Sequence, residues 1–138
     1  MNAEFYKSVH DALYLFSASP DHRIYTLSEF LDFAVAPITT SKIRFFYSEG
    51  RPRGLVTWCW LTEVEAEQFL DERWTPTVDV FRRNSGEQLW GIDFIAPFGN
   101  TIQVMREMRR HSKRLYGENT NVHWRRFKQP DKLIIRRF

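Results

Sequence analysis

The sequence predicts an α/β fold, a mixed sheet flanked by helices. Apolar residues make up 43% of the 138 positions and include 12 Phe, 5 Trp and 5 Tyr. That is ample for one packed core and argues against a disordered chain. Segments of helical period alternate with short strand-like runs in the order ααββαβαββ, the pattern of an α/β layer. One run, residues 87–96 (EQLWGIDFIA), is apolar almost throughout, as a central strand covered on both faces would be.

The elements follow in order. Residues 4–16 carry Phe5, Val9, Ala12, Leu13 and Phe16 at spacings of three and four, which predicts a helix. Ser19-Pro20-Asp21-His22 ends it, because the ring of Pro20 disfavours helix at Ser19. A second helix is predicted over 28–35, capped by Thr26 or Ser28 and ending before Pro37. Residues 42–48 and 53–61 read as a hairpin around the turn residues Glu49-Gly50-Arg51-Pro52. A short amphipathic helix over 62–72 and a linker through Thr75-Pro76 and residues 82–86 lead to the strand at 87–96. Residues 97–100 then turn the chain into a basic helix over 101–115, with Ile102, Met105, Met108 and Ser112 as its apolar stripe and Val104 and Leu115 at its flanks. Two last strands, 121–127 and 132–138, flank Gln129-Pro130-Asp131. Neither a repeat nor an internal boundary divides residues 1–138.

Charge is unevenly spread. Residues 101–138 carry 11 Lys/Arg against 3 Asp/Glu, whereas residues 1–100 carry 9 against 14. A basic face of that density attracts anionic partners, whether acidic proteins, phosphate groups or nucleic acid. The N-terminal residues mix charged and polar groups with apolar ones, and no stretch approaches the roughly 18 apolar residues of a membrane span. The single cysteine, Cys59, leaves no internal disulfide, and no Cys/His cluster has metal-binding spacing. These features predict a cytoplasmic protein with no membrane span and no metal.

Asp93 stands out. A carboxylate inside an apolar strand costs several kcal/mol unless it is paired. It either braces a loop through backbone N–H groups or serves chemistry. The turn Phe98-Gly99-Asn100-Thr101 leads from a strand into a helix, where free N–H groups can receive an oxyanion or a phosphate. His22 lies in a constrained loop, where an imidazole can act as a general base and its removal should leave packing intact. Ser19 either caps a turn or joins that chemistry. Cys59, between Trp58 and Trp60, reads as a buried inert thiol. His10, His111 and His123 read as solvent-facing.

Three blocks taken together carry a resemblance: Ser19-Pro20-x-His22-Arg23, Thr57-Trp58, and Trp90-x-Ile92-Asp93-Phe94-Ile95-Ala96-Pro97-Phe98-Gly99. They resemble the toxin-activating lysine-acyltransferases of RTX systems over roughly residues 10–115. The nine-residue block from Trp90 to Phe98 is the specific one. The chain departs from that family before SPxHR, where Ala12-Leu13-Tyr14-Leu15-Phe16 replaces a tryptophan-rich segment.

The resemblance implies a GNAT-like fold forming one acyltransferase domain over residues 1–138. It implies a fatty acyl group taken from acyl carrier protein and moved to an internal lysine of an RTX-protoxin-like acceptor. No tightly bound cofactor is implied, acyl-loaded carrier protein being the donor, and a homodimer stays open. His22 would be the general base with Asp93 as its partner, and Ser19 a third catalytic candidate. Phe98, Gly99, Asn100 and Thr101 would receive the thioester, and Arg106, Arg109 and Arg110 would meet the acidic carrier. Two alternatives remain. An acyl-CoA-dependent GNAT-like acetyltransferase would ordinarily show a Gly-rich pyrophosphate loop, which Arg82-Arg83-Asn84-Ser85-Gly86 does not supply. A non-catalytic module could use the basic C-terminal third on nucleic acid.

Overall fold

Local signals fix most element boundaries. In the computed structural model, which describes residues 2–126 and 129–137, helix α1 spans Ala3–Ala18, with the Asn2 side chain accepting from Phe5 N–H. Ser19 is extended (φ −94°, ψ 119°), as a residue before proline should be, and the helix stops there. Thr26 then opens α2 (Leu27–Phe30) through a capping box with Glu29. A second capping box, Thr62 with Glu65, opens α4 (Glu63–Leu70).

The second helical segment does not end before Pro37. A π-turn at Leu31–Val35 joins α2 to α3 (Ala36–Thr39), with Pro37 in the first turn of α3. Wider i→i+5 bonding just ahead of the proline accommodates a ring that clashes in an uninterrupted α-helix. The expected linker also holds structure: α5, Val78–Phe81, forms because Val80 and Phe81 are buried.

Strands β1 (Ile43–Ser48) and β2 (Arg51–Leu61) form the expected hairpin, with a tighter turn than the sequence suggested. Only Glu49 and Gly50 form it, both at positive φ, so Arg51 and Pro52 belong to the strand. Strand β3 (Gln88–Ile95) is central, and α6 (Thr101–Tyr116) follows it. The sheet ends with β4 (Asn121–Arg126) and β5 (Gln129–Arg137). Strand geometry already holds at Gln129, so no turn occupies 129–131. Phe127 and Phe138, the outer ends of the expected last strands, lie outside the described residues.

The five strands lie in sequence order. All neighbours are antiparallel except β3 and β4, which run parallel over only Leu89–Val122, Trp90–His123 and Gly91–Trp124. The sheet is therefore mixed and flanked by helices, the expected fold class, and its layout is consistent with a GNAT-like domain.

Its two faces bury different cores. On one, Leu55 and Ile95 meet Ala12, Leu15 and Phe16 of α1, while Cys59, Leu61 and Trp90 meet Phe69 and Phe81. On the other, Val56, Trp58, Leu89 and Val122 pack under Val104 and Met108 of α6. The buried stripe of α6 is thus Val104–Met108–Ser112, with a strict spacing of four. Ile102, expected inward, is 65% exposed. Gly91 is required beneath α6, because a Cβ there would lie 2.1 Å from the Trp124 ring.

Two histidines expected in solvent are half-buried. His123 stacks on Trp90, and His111 packs edge-on against Trp58. Burial, with Arg44 and Arg114 nearby, lowers the His111 pKa from 6.5 to about 4. The folded state therefore favours the neutral ring. That contribution is complete above pH 6.5 and is lost as pH falls from 6.5 through about 4. Replacing His111 with Leu should shrink the drop in urea midpoint between pH 7.5 and pH 4.5. An equal drop in both proteins would refute the assignment.

Candidate active site

Asp93 reaches its partner because β3 bulges. Between the pairs Val56–Phe94 and Trp58–Gly91, the chain takes two steps along β2 but three along β3. Side chains on a strand alternate between faces, so one extra residue reverses the phase. Trp90 points to the face of α4 and α5, and Ile92 leans on the same cluster. Past the bulge, Phe94 joins the α6 core, and Asp93 and Ile95 point toward α1. Without the extra residue, Asp93 would face α6. Thr57, opposite the bulge and fully buried, accepts the Asp93 N–H through Oγ1 at 3.0 Å.

His22 arrives from the other side. Its N–H and that of Arg23 both bond to Ser19 O (3.1 and 2.9 Å), and Tyr25 N–H bonds to His22 O at 3.0 Å. This tight turn, forced at its start by Pro20, packs the imidazole against the rings of Phe16 and Tyr25, which also touch each other. His22 is only 6% exposed, so it is a packed residue rather than the dispensable loop histidine expected from sequence.

The site residues meet in a buried line. Ser19 Oγ lies 2.7 Å from His22 Nδ1, and His22 Nε2 lies 3.0 Å from Asp93 Oδ1. The Asp93 carboxylate can only accept, so Nε2–H donates to it. The Nδ1 lone pair then faces Ser19 and accepts its hydroxyl proton. This arrangement can draw a proton from Ser19 and stabilise the resulting imidazolium.

Tyr25 and Thr57 also touch Asp93, and neither stood out in the sequence as a site residue. The Tyr25 hydroxyl donates to Asp93 Oδ1 at 3.2 Å. Burial, then the charge and hydrogen bond of Asp93, raise the phenol well above its usual range, so it stays protonated and keeps donating. Asp93 Oδ1 thus holds two donors, whereas Oδ2 has no hydrogen-bond partner among the described residues. The signal for Tyr25 was its position three residues after His22, on the turn that returns toward β3.

The remaining candidates lie around this core. Phe98 stacks on Tyr14 of α1 and takes the Arg53 guanidinium over its ring, anchoring the turn that leaves β3. Gly99 adopts φ +78° with open space about its Cα. Asn100 does not cap α6 through its side chain, which donates instead to Arg53 O at 3.2 Å. Thr101, Arg106, Arg109 and Arg110 are exposed on α6, and Arg110 is ion-paired with Glu107. Cys59 is fully buried, and burial pushes its thiol far up, which fits an inert role. Among the described residues, no group of three or more His, Cys, Asp or Glu is placed to hold a metal ion, and no helix is long and apolar enough to cross a membrane.

The Tyr25–Asp93 bond is testable without an activity assay. A hydrogen bond to a charged group contributes about 1.5–3 kcal/mol, and Tyr25→Phe should lower stability by about that much. In an Asp93→Asn background most of that loss should vanish, giving a coupling energy in a double-mutant cycle read by urea unfolding. The same loss in both backgrounds would mean that Tyr25 acts through packing alone.

Similarity to known proteins points one way. Over 97 residues the chain is 30% identical to the RTX-II toxin-activating lysine-acyltransferase ApxIIC of Actinobacillus pleuropneumoniae, covering 70% of this chain and 59% of that protein. Over 109 residues it is 26% identical to the lysine-acyltransferase RtxC of Vibrio cholerae, covering 78% of this chain and 70% of that one. An uncharacterized protein of Synechocystis is 22% identical over 111 residues, or 79% of this chain and 74% of its own length. The family match runs over residues 1–135, taking in the His22 turn, the β3 bulge and the basic helix alike, and the chain belongs to the RTX toxin acyltransferase family.

Proposed function

We propose that this chain transfers a fatty acyl group from acyl carrier protein to the ε-amine of an internal lysine in an RTX-protoxin-like acceptor. The observation that carries the reading is the buried line Ser19–His22–Asp93, in a chain of this family. The neutral lysine amine attacks the thioester carbonyl carbon, the C–N bond forms and the C–S bond breaks. The amine proton passes to Ser19 Oγ as the Ser19 hydroxyl proton moves to His22 Nδ1. Asp93 stabilises the imidazolium, which then returns its Nδ1 proton to Ser19 Oγ as the Ser19 hydroxyl proton passes to the departing thiolate. The products are an amide and a free thiol. Backbone N–H groups at Phe98, Gly99, Asn100 and Thr101 are the proposed receptors for the developing oxyanion.

The exposed arginines of α6 are the proposed contact for the carrier. Acidic carrier proteins meeting the C-terminal segment 101–138, of net charge +8, would be steered electrostatically, an effect on association more than on chemistry. The reaction is expected to take place in the cytoplasm.

Because His22 is buried against Phe16 and Tyr25, His22→Ala alone confounds chemistry with folding, and His22→Gln serves as the polar control. Both should lower transfer at least about 100-fold, the lower range for losing a general base, while the Gln protein stays folded. The readout is intact mass of the acceptor after incubation with acyl-loaded carrier protein. Wild-type rates in either folded variant would refute the role of His22.

Reversing Arg106, Arg109 and Lys113 to Glu should raise the apparent KM for the carrier and weaken its salt dependence, with kcat little changed. Unchanged carrier kinetics, together with lost binding to DNA or RNA, would favour the nucleic-acid module instead.

A further inference from the structure

An open groove of about 360 Å³ runs beside the couple. Its floor is buried and aromatic, formed by Phe16, Phe30 and the His22 ring. Leu13 of α1 and Leu27 of α2 wall it, and they are 55% and 76% exposed. Leucines that exposed, on both sides of one aromatic trough, form a patch suited to an apolar ligand.

Taking the proposed acyl transfer as given, we infer that this groove holds the alkyl chain of the acyl group, with Leu13 and Leu27 setting chain-length selectivity. Position is the first argument. The imidazole is part of the groove lining, so a chain lying in it runs against the reacting couple. Charge is the second. Among the described residues no carboxylate lines the groove, and its one charged side chain, Arg23, is exposed, so an alkyl chain lying there desolvates no buried charge.

Rigidity is the third argument. Phe16 meets His22, Tyr25 and Phe30 edge-on, and the Thr26–Glu29 capping box fixes the backbone that carries Leu27. A preformed apolar trough discriminates by how many methylenes it covers. Each one covered contributes about fourfold in binding.

The test uses the full chain with Leu13→Ser and Leu27→Ser, both at exposed positions that the fold tolerates. A photoreactive alkyl-diazirine fatty acid reports binding, and transfer from carrier protein loaded with saturated chains of increasing length reports selectivity. Labelling should fall on residues 13–17 and 22–30. The two variants should flatten the length profile, with a loss growing about fourfold per uncovered methylene. Labelling confined to other segments would overturn the inference. So would an unmoved length profile with a uniformly higher KM for the acceptor, which would give the groove to the acceptor peptide. Groove labelling without any transfer to lysine would refute the function reading and leave the groove standing.

Discussion

A single extra residue in β3 organises this molecule. Between Gly91 and Phe94 the strand carries one residue more than its partner needs, and everything beyond that point changes face. A bulge leaves the ladder locally broken and increases strand twist. Here the break is held by Thr57, which takes the Asp93 N–H that the ladder does not. The consequence is a carboxylate 4% exposed on a face otherwise filled by Leu55, Ile95 and the α1 core. An unpaired charge there would cost several kcal/mol. Two donors from one short turn, His22 Nε2 and the Tyr25 hydroxyl, offset that cost. The turn and the bulge therefore depend on each other, although they are 71 residues apart in the chain.

The same dependence decides what could be read from sequence. Asp93 was visible because a carboxylate in an apolar run is locally anomalous, and the Ser19-to-His22 turn was visible because Pro20 dictates it. The helices, the hairpin and the central strand rest on periodicity and turn residues, which are also local. The bulge is not local: its register follows from how β2 and β3 align. For that reason Thr57 marked a family block without showing its role, Tyr25 looked ordinary, and His22 looked like a surface loop residue. The π-turn that carries the chain past Pro37 was missed for a related reason. The buried Phe33 and Ala34 favour continuing the helix, and that tertiary benefit outweighs the proline's local preference.

The two faces of the sheet divide the labour. The α6 face is aromatic, with Gly91 permitting Trp124 to lie against the sheet and a small apolar cavity bordered by Trp58, Met108 and Trp124. The α1 face carries the polar line and the groove, and its neighbours are short elements: a tight turn, a four-residue helix and a π-turn.

Burial increases along the line, from Ser19 at 8% through His22 at 6% to Asp93 at 4%. Burial of all three has an electrostatic consequence. Away from water, charges interact through a lower effective dielectric, so an imidazolium formed at His22 feels Asp93 more strongly than it would at the surface. The cost of burying the carboxylate is met during folding, before any substrate arrives. Stabilisation of the imidazolium is then available without reorganisation at the moment a proton moves. Tyr25 donates to the same oxygen, Oδ1, that His22 meets, and its phenol stays protonated, so this second donor persists.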